Sequence, residues 1–266
     1  MPFRSIEISD PEYTQPGVSM VTVKSAALKR RADLTCYVPP GKQAGPLPLV
    51  ILLHGVYGSH WAWLFKGGAH RVLDRLIIEE ALPPMMLAMP SDGLWGDGSG
   101  YVQHVDADYS RWIVEEVPAA AALVEPRVID SPLFLAGLSM GGYGTLRLGA
   151  IHADKFTALS AHSSATQPSQ LYDISEEKPD QYRLLDQPSL NVIDCLLAHR
   201  DQLPPMRFDC GRDDFLLEPN RLLHQQLAEA GIIHEYEEFG GAHDWPYWNE
   251  HLADSLRFFA RHLQPL

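Results

Sequence analysis

The chain has 266 residues, a hydrophobic fraction of 45% and a net charge of −13, from 21 Lys and Arg against 34 Asp and Glu. This composition is typical of a globular protein and excludes a disordered or collagen-like chain. The negative charge argues against nucleic acid and membrane surfaces as partners, because both usually require a basic patch. We expect one domain over residues 1–266, since α/β folds often reach about 200 to 250 residues as one unit.

The location of the protein is predicted from its apolar segments and its cysteines. No stretch approaches the ~18 consecutive apolar residues of a membrane-spanning helix, and the amino terminus lacks the apolar segment of a signal peptide. Cys36, Cys195 and Cys210 are too few for a disulfide framework and too far apart for a CxxC motif. These features predict a cytoplasmic protein with reduced cysteines.

The first 45 residues predict antiparallel β structure. Residues 18–23 and 31–38 each alternate between apolar and polar side chains, and Pro39 ends the second run. We expect these two segments to form a hairpin at the edge of a sheet.

The rest of the chain alternates short apolar runs with amphipathic helical patterns. Unbroken apolar runs are typical of parallel strands covered on both faces, and their alternation with helices is typical of βαβ units. We therefore predict an α/β fold with a mostly parallel central sheet, an antiparallel amino-terminal hairpin and helices on both faces. The predicted strands are residues 49–53, 85–89, 133–138, 156–160, 206–210 and 234–239, and the predicted helices are residues 69–81, 109–124, 143–152, 218–230 and 245–263.

One polar, proline-rich stretch interrupts this alternation. It carries Pro168, Pro179 and Pro188 and contains no strand pattern. We interpret it as a short cover over the sheet, inserted near residues 165–188.

The strongest chemical signal is a G-x-S-x-G motif, GLSMG at residues 137–141, between a predicted strand and a predicted helix. A serine on such a sharp turn adopts strained backbone angles, and its neighbours must be small to avoid the adjacent strand and helix. The amino terminus of the following helix favours negative charge on a reacting oxygen. Ser139 is therefore predicted to be a nucleophile.

A serine nucleophile at neutral pH needs a base, and the base needs an acid to orient it. In folds with this turn, the chain order is nucleophile, acid, histidine. Asp214 and His243 each follow a predicted strand, and open α/β sheets gather their sites at the carboxyl ends of strands. Asp213 is an alternative acid, and His54 and His162 are alternative histidines because they also lie near strand ends.

Residues 54–58, HGVYG, end a predicted strand in a glycine-containing loop. Such a loop can point the N–H of Val56 at the space above Ser139. The N–H of Met140 would be the second donor of this oxyanion hole.

Aromatic residues near these motifs are candidates for binding the substrate. Tyr57, Trp61 and Trp95 could line an acyl pocket, and core packing is the alternative. Neither HExxH nor a CxxC pair is present, so we expect no metal and no cofactor.

Five segments of the chain resemble one family, the α/β-hydrolase esterases of the esterase D type. This group includes S-formylglutathione hydrolases, tributyrin-type esterases, feruloyl esterases and the antigen 85 mycolyltransferases. The segments are HGVYGSHWAW (54–63), SDGLW (91–95), GLSMGGYGTLRL (137–148), CGRDDFL (210–216) and GGAHDWPYW (240–248).

The resemblance implies an α/β-hydrolase fold with Ser139 as nucleophile, Asp214 as acid and His243 as base. It also implies that Val56 and Met140 form the oxyanion hole. The chain departs from S-formylglutathione hydrolases at residues 55–58, where those enzymes carry a cysteine-containing loop.

These observations predict a serine carboxylesterase that hydrolyses small, short-acyl esters through an acyl-enzyme. The alternatives are an S-formylglutathione hydrolase, a feruloyl or carbohydrate-ester esterase, an acyltransferase, and a catalytically silent binding scaffold. The expected partner is a small-molecule ester, with homo-oligomerisation left open. The net charge of −13 also predicts long-range repulsion of anionic esters at low ionic strength.

Overall fold

The computed structural model describes residues 3–41, 44–176, 182 and 190–263. Within these ranges, the strands are β1 (Phe3–Ile8), β2 (Val18–Ser25), β3 (Arg31–Tyr37), β4 (Leu49–Leu53), β5 (Met86–Pro90), β6 (Leu133–Leu138), β7 (Ala158–His162), β8 (Met206–Gly211) and β9 (Glu235–Phe239). The α-helices are α1 (Ala62–Phe65), α2 (Ala69–Glu80), α3 (Tyr109–Arg111), α4 (Val117–Val124), α5 (Met140–Ile151), α6 (Pro168–Ile174), α7 (Val192–Ala198), α8 (Leu217–Glu229) and α9 (Trp245–Arg261).

All nine strands join one sheet in the order β1-β2-β3-β5-β4-β6-β7-β8-β9. β1, β2 and β3 pair antiparallel, β3 pairs antiparallel with β5, and every remaining pair is parallel. The predicted fold class is therefore confirmed. The expectation of a single domain over the whole chain stays a prediction.

The sheet has a buried apolar layer on each face. In β4, which is buried at all five positions, successive side chains point to opposite faces. Leu49, Ile51 and Leu53 enter one cluster with α4, α5 and α8, and Val50 and Leu52 enter the other with α2 and α9. Burial on both faces explains why these strands are unbroken apolar runs in the sequence.

The amino-terminal region differs from the prediction by one strand. β1 is the edge of the sheet, with a register shift between Phe3 and Ile6, and it displaces the predicted hairpin from the edge position. Four of its six residues are exposed, and apolar and polar residues alternate only over Ile6, Glu7 and Ile8, which is too short to predict a strand. Polar edge strands also protect a sheet from pairing with other chains.

The predicted helix at residues 109–124 is divided by a π-helical turn, Trp112–Glu116, which separates α3 from α4. The N–H of Val117 donates to the carbonyl of Trp112, five residues back. Pro118 lacks the N–H that a regular helix needs at this position, which favours the irregular turn. The buried carboxylate of Glu116 accepts hydrogen bonds from the backbone after β2.

The predicted cover lies partly outside the described residues, because residues 177–181 and 183–188 are not among them. Its described part contains α6 and no strand. Among the described helices, none is both long and apolar enough to cross a bilayer.

Candidate active site

Ser139 lies on the sharp turn between β6 and α5, as the motif predicts. Its φ is 55° and its ψ is −117°, a backbone conformation that residues other than glycine rarely adopt. A side chain at Gly137 would overlap the backbone of Gly141, and one at Gly141 would overlap the backbone of Leu53. The turn therefore depends on glycine at both positions.

The structure brings Ser139, His243 and Asp214 together. His243 Nε2 lies 3.0 Å from Ser139 Oγ, and His243 Nδ1 lies 2.9 Å from Asp214 Oδ2. Both are ordinary hydrogen-bond distances. Asp214 follows β8 and His243 follows β9, so the three side chains meet at the carboxyl edge of the sheet. Asp213, the alternative acid, is exposed, and its N–H donates to the carbonyl of Gly241.

The carboxylate of Asp214 is held as an anion. Its side chain is fully buried, and Oδ1 accepts the N–H of Leu216 at 2.8 Å. Burial raises the pKa of Asp214, but hydrogen bonds from His243, Leu216 and Ser163 outweigh it and hold the pKa below its ordinary value. The anion can orient the imidazole and stabilise its protonated form.

Ser163 supports this arrangement and is a residue that the sequence analysis missed. It is fully buried, has a φ of 47° and directly follows β7 at the same edge of the sheet. Its Oγ accepts the indole N–H of Trp248 at 3.2 Å, and the hydroxyl contributes to lowering the pKa of Asp214. The Trp248 ring packs edge-on against His243, with 5.0 Å between ring centroids. Ser163 thus lies between Asp214 and Trp248, the residue that packs against His243. In the sequence, only its position after a predicted parallel strand indicated a role at the site.

The loop at residues 54–58 packs against Ser139. A side chain at Gly55 would lie 3.1 Å from the Cβ of Ser139. Both ring nitrogens of His54 are engaged, because Nδ1 donates to the carbonyl of Gly55 at 2.7 Å and Nε2 accepts the N–H of Asp92 at 3.0 Å. His54 therefore holds the loop and is not placed to act as the base.

The two expected oxyanion donors belong to segments next to Ser139. Val56 belongs to the loop that packs on Ser139, and Met140 is the first residue of α5. Neither N–H donates to an acceptor within the described residues. Both groups can therefore donate to an oxygen bound at Ser139.

A cavity of about 420 Å³ opens at Ser139 and His243. Tyr57 and Trp61 line it, in agreement with their predicted position. Residues that the sequence analysis did not assign to the cavity also line it, namely Lys66, Ile174, Phe215, Trp245 and Trp248. They come from four separate segments, and only the fold brings them together.

The expectation that Trp95 lines this cavity is wrong. Trp95 is not among the described lining residues. It packs edge-on against His104 and Tyr182, with ring centroids 4.9 and 5.1 Å away, and contributes to the core instead. Its position at the end of the SDGLW segment gave no information on the direction of its ring.

A second Ser-His-Asp arrangement lies entirely inside the protein. His162 Nδ1 lies 3.0 Å from Asp209 Oδ1, His162 Nε2 lies 2.7 Å from Ser255 Oγ, and Ser255 Oγ lies 2.6 Å from Ser160 Oγ. All four residues have zero exposed surface, so a substrate cannot reach them. We therefore interpret this group as a structural network.

The acid of this buried network is strongly stabilised as an anion. Arg207 Nη1 lies 2.7 Å from Asp209, and the hydroxyl of Tyr247 donates to it at 2.8 Å. Burial raises the pKa of Asp209, but the neighbouring His162 and Arg207 and these hydrogen bonds outweigh it and lower the pKa to about 2. The network joins β7, β8 and α9 beneath the catalytic edge of the sheet.

No group of three or more His, Cys, Asp and Glu side chains within the described ranges is arranged to hold a metal ion. All three cysteines are buried, and none of them forms a disulfide.

Comparison with known proteins agrees with the fold. The family model described as "Putative esterase" matches residues 25–259. An acetyl esterase from Caldicellulosiruptor saccharolyticus is 25% identical, over 92% of this chain and 98% of the relative. A solved ferulic acid esterase has a TM-score of 0.79 and 25% identity, over 93% of this chain and 98% of the other. An S-formylglutathione hydrolase from Agrobacterium tumefaciens shares the fold, with a TM-score of 0.76 and 19% identity over 99% and 100% of the two chains.

Replacing Ser163 should weaken catalysis without weakening substrate binding. Ser163→Ala removes the hydroxyl that accepts the N–H of Trp248 and helps to lower the pKa of Asp214, so we expect kcat for 4-nitrophenyl acetate to fall about tenfold with KM unchanged. Ser164→Ala is the matched control, because the buried hydroxyl of Ser164 has no hydrogen-bond partner among the described residues. Equal kcat values in the two variants would contradict the role of Ser163.

Replacing Asp209 should affect stability rather than chemistry. Asp209→Asn removes the buried one of the two carboxylates that pair with Arg207 and leaves Glu237 alone, and we expect the free energy of unfolding at pH 7 to fall by about 3 kcal/mol. Since folding lowers the pKa of Asp209, the stability from its anion is present above about pH 4 and is lost as the pH falls towards 2. The free energies of unfolding of the unaltered protein and of Asp209→Asn, measured with urea, should therefore converge as the pH falls through this range. A folded Asp209→Asn protein that lost most of its kcat would contradict the structural assignment.

Proposed function

The chain belongs to the esterase family, and we propose that Ser139, His243 and Asp214 carry out the hydrolysis of small, short-acyl carboxylic esters. The observation that supports this most strongly is the hydrogen-bonded series from Ser139 Oγ to His243 to Asp214, at 3.0 and 2.9 Å, beside an open cavity. The buried arrangement around His162 has the same chemistry and no access for a substrate.

The first half of the proposed reaction forms an acyl-enzyme. Ser139 Oγ attacks the ester carbonyl while His243 Nε2 accepts its proton, and Asp214 stabilises the imidazolium that results. The carbonyl oxygen becomes an oxyanion that accepts hydrogen bonds from the N–H groups of Val56 and Met140. His243 then donates its proton to the leaving alcohol oxygen as the bond from carbon to that oxygen breaks.

The second half of the reaction uses water in place of the alcohol. His243 Nε2 accepts a proton from the water as it attacks the acyl carbon, and the same two N–H groups bind the second oxyanion. Collapse of this intermediate releases the carboxylic acid and returns the proton to Ser139. No group beyond the chain's own side chains and N–H donors is needed.

The preference for a short acyl group rests on the shape of the cavity. Its volume of about 420 Å³ must hold both parts of the ester. Bulky rings, among them Trp61 and Phe215, form its walls. The 25% identical acetyl esterase supports the same preference.

We also propose a cytoplasmic location. Its support is that the three cysteines are buried and form no disulfide, which is typical of proteins in reducing compartments.

The assignment of the acid is tested by a pair of adjacent variants. Asp214→Asn should lower kcat by about 10⁴-fold, because the neutral amide no longer fixes the His243 tautomer or stabilises its cation. Asp213→Asn should leave kcat nearly unchanged, because its side chain is exposed at the surface. Steady-state kinetics with 4-nitrophenyl acetate would measure both, and the opposite ranking would move the role to Asp213.

The acyl preference is tested with 4-nitrophenyl esters from acetyl to palmitoyl, together with a feruloyl ester and S-formylglutathione. We expect kcat/KM to rise or stay flat from acetyl to butyryl, since each methylene that fits contributes about 0.8 kcal/mol, and to fall for longer chains. Trp61→Ala should move the optimum to longer chains, whereas Trp95→Ala should not. A palmitoyl preference, or activation at an oil-water interface, would contradict the short cavity.

A further inference from the structure

A second cavity, of about 670 Å³, adjoins the catalytic cavity, and we call it the basic groove. Lys66 and Trp245 line both cavities, so the two spaces share a wall. Arg71 and Arg75, one turn apart on α2, also line the basic groove. No Asp or Glu of the described chain is among its lining residues. This part of a chain with a net charge of −13 is therefore locally positive.

None of the three cations of the basic groove forms a close ion pair within the described chain, although Arg75 contributes to lowering the pKa of Glu80 on the same helix. Lys66 Nζ lies 5.6 Å above the centroid of the Trp245 ring. Among the described residues, no acceptor lies within hydrogen-bond or ion-pair distance of the charged groups of Lys66, Arg71 and Arg75. By contrast, Arg257 on α9 and Arg221 on α8 each pair with two acidic side chains. Three exposed cations close together without internal partners are available to an anion from solution.

The amino terminus of α2 adds further donors to the basic groove. This 12-residue helix starts after Gly68, has no side-chain cap and has no acidic residue in its first turn. The N–H groups of Ala69 and His70 have no acceptor among the described residues. His70 also lines the groove, and its Nδ1 is buried without a partner. An anion in the groove would satisfy the helix terminus as well as the side chains.

The mechanism indicates which part of the substrate faces the basic groove. His243 Nε2 protonates the leaving alcohol oxygen, so the alcohol part lies on the His243 side of the catalytic cavity. Trp245, two residues after His243, forms the wall on that side and continues into the groove. An alcohol part that extends past Trp245 reaches Lys66 first and then the arginines of α2.

We infer that the basic groove binds a carboxylate or phosphate on the alcohol part of the ester, so that the preferred substrates are esters of anionic alcohols. This inference rests on the proposed function and identifies the substrate class more closely. The attraction of an anionic ester by the basic groove is opposite in sign to the repulsion that the net charge of the chain predicts. Salt screens charges beyond about 10 Å at 0.1 M ionic strength, so the groove dominates at contact distance.

Matched acetate esters test the inference. The carboxylate probe is 3-(4-acetoxyphenyl)propanoate, its neutral control is the corresponding amide, and the phosphate probe is 2-(4-acetoxyphenyl)ethyl phosphate. All three release acetate from similar phenols, so the chemistry at Ser139 is the same. We expect kcat/KM at about 0.1 M ionic strength to be about tenfold higher for an anionic probe than for the amide, and about equal in 0.5 M salt. Comparison of the two anions identifies which group the groove prefers.

Variants locate the preference in the basic groove. Lys66→Gln and the double variant Arg71→Gln/Arg75→Gln should each reduce the ratio of anionic to amide kcat/KM towards one. The double variant Arg4→Gln/Arg31→Gln makes the same charge change on the outer strands and should keep the ratio of the unaltered protein. Because the readout is a ratio, a partial loss of folded protein does not affect it.

The outcomes separate this inference from the proposed function. Hydrolysis of the amide without preference for either anion, or a preference that persists in Arg71→Gln/Arg75→Gln, overturns the inference and leaves the esterase mechanism standing. Failure to hydrolyse any of the three acetates contradicts the proposed function itself.

Discussion

The backbone of Ser139, with a φ of 55° and a ψ of −117°, is the constraint on which the rest of the site depends. The turn lifts the hydroxyl above the sheet and starts α5 immediately after it. It is possible only because glycines at positions 137 and 141 let β6, α5 and the end of β4 approach one another closely. The N–H of Ser139 donates to the carbonyl of His162 at 2.9 Å, which ties the strained residue to the neighbouring strand. Strain of this kind persists only where the surrounding structure over-determines it.

Two Ser-His-Asp arrangements in one chain show that residue identity alone does not define an active site. The one at His243 has a partly exposed imidazole beside a cavity, and the one at His162 has zero exposed surface. In the buried one, Arg207 and Tyr247 also bind the carboxylate, which fixes it as part of the core. The structure uses the same three side-chain types once for packing and once, by our proposal, for chemistry. Solvent access is the property that distinguishes them.

Much of the fold and the central geometry of the site were predictable from sequence because their signals are local. Buried parallel strands are unbroken apolar runs, and the nucleophile turn has its own glycine pattern. The chain order of nucleophile, acid and histidine then indicated Asp214 and His243. The signals that failed were of two kinds. β1 is exposed at the sheet edge, and its sequence has no apolar alternation of strand length. The direction of a ring such as that of Trp95 depends on contacts with distant segments. Ser163, Lys66 and Trp245 reach the site only through the fold, so no short motif identified their contacts.

The central claim is that Ser139 is the nucleophile activated by His243, and covalent labelling tests it most directly. The protein would be treated with a fluorophosphonate, digested, and the modified peptide sequenced by mass spectrometry. The account predicts a single adduct on Ser139, and slow or absent labelling in the folded His243→Ala variant. An adduct on Ser160 or Ser255, or labelling of Ser139 that is equally fast without His243, would contradict it.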